Sequence, residues 1–181
     1  MQDHFTAPKL DTALWAYYNM TTPCTMTPER HGDSLLYLPE ADMWNEGNCL
    51  LSRAFLGEQS TVTGLFAGWD EQSGGAALGF YGGDGSFSDY VLLAATNSAL
   101  ELRVPSGSQN GAAFMDRGQP KAYVVCACAW EKAFPLQLTL KRDGQEYAAY
   151  LNGRLVMQAR VPTLSGDARA VFKALPWEDR L

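Results

Sequence analysis

Hydrophobic and polar positions along this chain alternate with the period of β-strands rather than of helices. The clearest stretch is Leu136-Gln137-Leu138-Thr139-Leu140-Lys141, apolar at every second residue, followed by Arg142-Asp143-Gly144-Gln145, whose composition turns the chain. The next strand, Glu146–Leu151, ends at Asn152-Gly153, a dipeptide that accepts positive φ at both central positions of a tight hairpin. Arg154–Val161 completes a meander, and alternation points Leu155, Met157, Ala159 and Val161 toward a core.

Upstream, short β-rich runs recur at the spacing of roughly 8–12 residues that marks sandwiches and barrels. They lie near Leu14–Tyr18, Ser34–Leu38, Cys49–Phe55, Ser60–Trp69, Ala76–Tyr81, Tyr90–Ala95, Leu100–Val104 and Tyr123–Ala129. Gly74-Gly75, Gly82-Gly83-Asp84-Gly85 and Gly107 punctuate them. Helical character is confined to turns around Pro28–His31 and Gly166–Val171, and Ser106–Lys121 reads as a long polar loop. After Thr163 two readings stay open, a last strand at Ala168–Ala174 or a short helix at Gly166–Lys173, with Trp177 pointing to a docked tail. The expectation is an all-β, two-sheet antiparallel sandwich of jelly-roll type with about twelve strands, 1–181 forming one domain.

Composition supports a packed core: 46% of the 181 residues are hydrophobic and 12% aromatic. Fourteen basic against twenty acidic residues leave a net charge of −6 without a Lys/Arg cluster, which argues against a nucleic-acid partner. No run of about 18 apolar residues exists, so a membrane is not an expected partner, and Met1-Gln2-Asp3-His4 lacks the basic and apolar regions of a secretion signal. Cys126 and Cys128 fall on one face of a strand about 7 Å apart, which is neither a redox nor a zinc spacing. With His4 and His31 far apart, no metal site is expected; the cysteines read as buried thiols, a Cys24–Cys49 disulfide being the alternative for that pair.

The order of motifs resembles the concanavalin A-like lectin/glucanase superfamily, in particular the sandwich modules appended to bacterial xylosidases and arabinofuranosidases. Asp3-His4-Phe5 with Leu10-Asp11 and Trp15 resembles the opening of those modules, and Leu50-Leu51-Ser52-Arg53 an early strand. Val62-Thr63-Gly64-Leu65-Phe66 resembles a mid-domain motif, and Leu138 to Gly144 with Tyr147, Tyr150 and Asn152-Gly153 a late one. The resemblance implies the same fold and a carbohydrate partner, an oligo- or polysaccharide. It also implies an aromatic-Asp pair on the last strand, beside the N-terminal Asp and sometimes at a structural calcium. Here Ala170-Val171-Phe172-Lys173 has the aromatic and no Asp, which argues against calcium at Asp3 and leaves no expected cofactor.

Sugars are bound by aromatic faces over their C–H surfaces and by carboxylates and amides at their hydroxyls. Three groupings offer that chemistry: Trp44 with Glu46, Trp69 with Asp70, and Tyr81 with Asp84. In each, the competing structural role is an aromatic packed over the core edge with polar neighbours capping a turn. Enzymes on this fold use two carboxylates flanking the scissile bond, and the E-x-D-x-E strand pattern is absent. Glu46, Asp70 and Glu71 are the catalytic candidates, although the last two, being adjacent, would point to opposite sides of a strand. Gly82-Gly83-Asp84-Gly85 reads as a hairpin loop rather than a phosphate cradle, and Asn19-Met20-Thr21 fits a glycosylation sequon. The chemistry points to a non-catalytic, lectin-like carbohydrate-binding domain, with a glycoside hydrolase or lyase and a structural association module as alternatives.

Overall fold

A computed structural model describes residues 3, 10–18, 29–31, 35–37, 49–69, 74–82, 89–105, 112–116, 119–162, 164 and 166–175. In chain order the strands are β1 (Trp15–Tyr18), β2 (Glu29–His31), β3 (Leu35–Tyr37), β4 (Cys49–Leu56), β5 (Gln59–Phe66), β6 (Gly75–Gly82) and β7 (Tyr90–Thr96). They continue with β8 (Ala99–Pro105), β9 (Ala112–Asp116), β10 (Gln119–Ala129), β11 (Leu136–Asp143), β12 (Glu146–Leu151), β13 (Arg154–Arg160) and β14 (Ala168–Leu175). An eight-stranded antiparallel sheet runs β1-β4-β14-β6-β7-β8-β10-β9, a four-stranded sheet runs β13-β12-β11-β5, and β2 pairs with β3.

The alternation that defines β11 sets how the sheets face each other. Leu136, Leu138 and Leu140 are fully buried while Gln137 and Lys141 are exposed. Together with Val62, Tyr147, Ala149 and Met157 from the same sheet, they pack on Leu78, Phe80, Val91, Leu93, Leu100 and Leu102 of the larger one. The close approach explains Gly64 on β5: a Cβ there would stand 2.6 Å from the Phe172 ring. Strand β7 is buried at every position, because the outer face of the large sheet also carries a packed cluster of Cys49, Leu51, Ala77, Tyr81, Tyr90, Leu92, Ala94, Val171 and Leu175.

The meander matches its sequence signals. Asn152 (φ 48°) and Gly153 (φ 79°) form the turn of the β12–β13 hairpin, and Gly144 (φ 61°) opens the β11–β12 turn. The side chain and backbone of Asn152 also bond Gln137, whose N–H donates to Oδ1 at 2.8 Å while its carbonyl accepts from Asn152 N–H at 2.8 Å. Cys126 and Cys128 are both partly buried against the core, with Ala127 exposed between them.

Four details correct the sequence reading. The register shifts between Ala149 and Tyr150, so Val156 is a bulge residue and Leu155 turns outward, 44% exposed, while Met157 and Val161 stay in the core. The stretch read as a polar loop contains β9 and the start of β10. Pro120 pairs with Met115 there beside a bulge, a position at which strands accept proline. Glu29–His31 is a strand rather than a helical turn, and the described strands number fourteen rather than about twelve. Of the two readings of the tail, the strand is found: β14 lies between β4 and β6. Trp177 lies outside the described residues.

Two buried polar groups hold β14 and its approach. Between Arg169 and Val171 the β14–β4 register slips, and the fully buried Ser52 hydroxyl fills the gap, accepting from Ala170 N–H at 2.9 Å and donating to the Ala54 carbonyl at 2.7 Å. Arg142 is 1% exposed, yet it meets backbone carbonyls at each nitrogen: Gly144 from Nε (3.1 Å), Gly166 from Nη1 (2.8 Å) and Leu164 from Nη2 (3.3 Å). Its charge also pulls against the burial that pushes the Tyr147 phenol up to about 12.

Arg142→Met removes three charge-assisted bonds and strands their carbonyls. Urea denaturation is expected to show a loss on the order of 3 kcal/mol, against under about 0.5 kcal/mol for the exposed neighbour change Lys141→Ala. Cys49 is a free, buried thiol whose pKa burial pushes from 9.0 up to about 12, opposed by the Lys173 charge. A pKa raised in the folded state leaves stability intact below pH 9 and lowers it as pH climbs toward 12, by about 1.4 kcal/mol per pH unit at most. Cys49→Ala is expected to flatten that alkaline decline in urea melts at pH 8 to 11, and Cys49 should react with a thiol reagent at pH 8 only after unfolding.

Candidate functional site

Of the residues singled out in the sequence, Trp69 and Tyr81 lie among the described residues; Trp44, Glu46, Asp70, Glu71 and Asp84 lie outside them. The structure does not bring Trp69 and Tyr81 together. Trp69 follows β5 and stands at the Gly75/Thr96 end of the large sheet, whereas Tyr81 is at the other end of β6, six residues or about 20 Å along the strand.

Around Trp69 three connections meet. The Asn97-Ser98 turn between β7 and β8 is fixed by the Thr96 hydroxyl, which accepts from Ser98 N–H (3.2 Å) and Ala99 N–H (3.0 Å). Trp130, leaving β10, donates its indole N–H to the Thr96 carbonyl at 3.1 Å. The Asn97 Oδ1 then accepts twice, from Trp69 Nε1 at 3.1 Å and from Lys132 Nζ at 2.9 Å. Phe134 stands perpendicular to Trp69, ring centroids 4.8 Å apart at 88°, and Trp130 lies at 5.9 Å on a 44° tilt.

This packing encloses Trp69 rather than leaving it as a flat platform. Trp69 and Trp130 close the core edge, and the Lys132 ammonium sits 5.0 Å over the Trp69 ring and 5.7 Å over Phe134. The groups presented outward are the Phe134 ring, 37% exposed, the Asn97 amide and the Lys132 ammonium. An exposed aromatic ring beside an amide and a held cation is suited to binding a ring that carries hydroxyls or a negative group. Asn97, Trp130, Lys132 and Phe134 were not singled out in the sequence. The available signal was the run Trp130-Glu131-Lys132-Ala133-Phe134-Pro135, which places two aromatics and two charges between strands.

Tyr81 belongs to the outer face of the large sheet, where it is buried against Tyr90 at 5.5 Å. The same face carries Glu101 and Arg103 on β8, joined at 2.7 Å, and the buried Lys173 on β14. Between these strands the floor is small, Ala77, Gly79 and Ala94. Glu101 is thus committed to its arginine. At the other edge the Trp15 indole N–H donates to Asp3 Oδ2 at 2.8 Å, and Phe172 packs edge-on against that indole at 5.6 Å. Lys173 follows Phe172 where the resemblance would place an Asp. No three His, Cys, Asp or Glu residues gather as a metal site among the described residues.

No family model matches the chain, and no curated protein matches it by sequence. Solved structures do match in fold. A carbohydrate-binding module, CBM66, from Bacillus subtilis superposes with a TM-score of 0.53 at 16% identity, over 93% of this chain and 98% of that one. A glycoside hydrolase family 16 endo-glucanase from Bacteroides ovatus gives 0.61 at 9% identity, over 96% and 85%. The carbohydrate recognition domain of Emp47p gives 0.55 at 12% identity, over 98% and 86%. At such identities the likeness concerns the fold, and the chain shares with them a two-sheet antiparallel jelly-roll sandwich.

Proposed function

We propose that the chain is a non-catalytic, lectin-like carbohydrate-binding domain, 1–181 acting as one unit. The observation that carries this reading is the corner at Trp69, where the exposed Phe134 ring stands beside the Asn97 amide and the Lys132 ammonium. A sugar would lay its C–H face on Phe134 and direct hydroxyls to Asn97 and Lys132, with Trp69 and Trp130 as the rigid backing. The fold adds support. The chain spans 98% of a carbohydrate-binding module, so the likeness runs nearly end to end. The enzyme alternative rests on Glu46, Asp70 and Glu71, and the one described carboxylate on the large sheet's outer β8 ladder, Glu101, is tied to Arg103.

The test is a glycan array, with the oligosaccharides recovered and sized afterwards. Retention of one glycan class without shortening is expected, weakened about tenfold by Phe134→Ala and by Trp69→Ala, with the fold checked by circular dichroism. Because Trp69 also closes the core edge, Phe134→Ala is the cleaner variant. Shortened oligosaccharides would instead establish catalysis and direct attention to Glu46 and Asp70; neither binding nor cleavage would leave the structural association module.

A further inference from the structure

Among the described residues, buried or half-buried guanidinium groups are bonded to oxygen, with one departure. Arg142 has three carbonyls and Arg103 has Glu101. Arg169, half-buried on β14, has no hydrogen bond or ion pair, and its Nε is buried with no acceptor. What holds it is Phe55 of β4, its register partner: the guanidinium carbon lies 4.7 Å from the centre of that ring. A guanidinium fixed on an aromatic face keeps its plane while its terminal N–H groups stay unspent.

The surroundings suit an acceptor from outside. Phe55 is 50% exposed, so this end of the large sheet opens to solvent. Pairing runs Phe55, Arg169, Tyr81, Tyr90 across β4, β14, β6 and β7, which puts an aromatic residue on each side of the arginine. The slip in β4 beside Ser52 changes the partner of β14 immediately next to Arg169, and bulges of this kind re-aim side chains at binding sites. The planar fork of arginine matches a carboxylate or sulfate bidentately, which a lone ammonium does not.

We propose that Arg169 and Phe55 form a second binding site, at the opposite end of β6 from the Trp69 corner, that takes the oxyanion of an acidic sugar. The oxyanion meets the terminal nitrogens of Arg169 and the sugar ring lies against Phe55. The oxyanion part stands on Arg169 alone; the sugar part rests on the carbohydrate reading above.

The experiment is isothermal titration of the full chain with four probes: a trigalacturonate, a sulfated disaccharide, neutral galactotriose and the non-sugar polycarboxylate tricarballylate. At least one acidic sugar is expected to bind more tightly than galactotriose. Arg169→Gln should weaken that binding at least tenfold, Arg169→Lys severalfold because the charge returns without the fork, and Phe55→Ala severalfold. Lys141→Gln, an exposed change on the other sheet, should leave it within twofold, and melting temperatures should be unchanged. Preference for the trigalacturonate or for the sulfated sugar identifies the oxyanion as carboxylate or sulfate. Unchanged affinity in Arg169→Gln, or an equal loss in Lys141→Gln, overturns the site. Binding of galactotriose alone overturns the oxyanion site and leaves the carbohydrate reading standing. Tricarballylate binding as tightly as the acidic sugars overturns the sugar part, and silence from all four probes overturns the proposal.

Discussion

A charge taken out of water must find replacement dipoles, and Arg142 is where that requirement organises the sandwich. Its three nitrogens reach the carbonyls of Gly144, Leu164 and Gly166, one on the β11–β12 turn and two on the approach to β14. Glu58 braces the same junction, its carbonyl accepting from Gly144 N–H at 3.0 Å and its carboxylate from Gly166 N–H at 3.2 Å. The consequence reaches both sheets. Strand β14 enters between β4 and β6, so the segment that Arg142 grips decides where a C-terminal strand joins the middle of the larger sheet, while the guanidinium itself belongs to the smaller one. A hydrophobic side chain could fill that space but could not supply three donors in fixed directions, and the carbonyls would then lack partners.

What the sequence disclosed follows from how local each determinant is. The β11–β12–β13 meander is legible because strand alternation and turn dipeptides lie within a few residues of one another. Strand β9 was hidden because Ala112–Met115 sits among glycine, serine and glutamine, and its partner strand carries a proline made tolerable by a bulge that only the pairing reveals. Leu155 defeated alternation for the same reason: one inserted residue, Val156, reverses the faces before it. The role of Arg142 was legible only as a motif, since two of its three acceptors stand 22 and 24 residues away.

The site was less legible than the fold. Trp69 was visible as a large aromatic among polar neighbours, but its position depends on Asn97 and Lys132, 28 residues and further along the chain. Those side chains come from three separate connections that meet only because β5, β7 and β10 end at the same edge of the sandwich. Tyr81 shows the converse. Its neighbourhood looked like a loop rich in hydrogen-bonding groups, whereas β6 is buried on both faces and packs Tyr81 into the outer cluster. A strand covered on both sides leaves polar chemistry to its ends.

Four of the described cations divide by what neutralises them, and the division separates scaffold from surface. Arg142 and Arg103 are bonded to oxygen, which consumes their donors and makes them structural. Lys132 and Arg169 are held over ring faces, Trp69 with Phe134 and Phe55 respectively. A ring face attracts the charge without accepting most of its N–H groups, so position is fixed while hydrogen-bonding capacity remains. Lys132 spends one donor on Asn97; Arg169 spends none. Both stand beside a large aromatic that is more than a third exposed, Phe134 in one case and Phe55 in the other. Both therefore keep N–H donors that no described oxygen of the protein takes up.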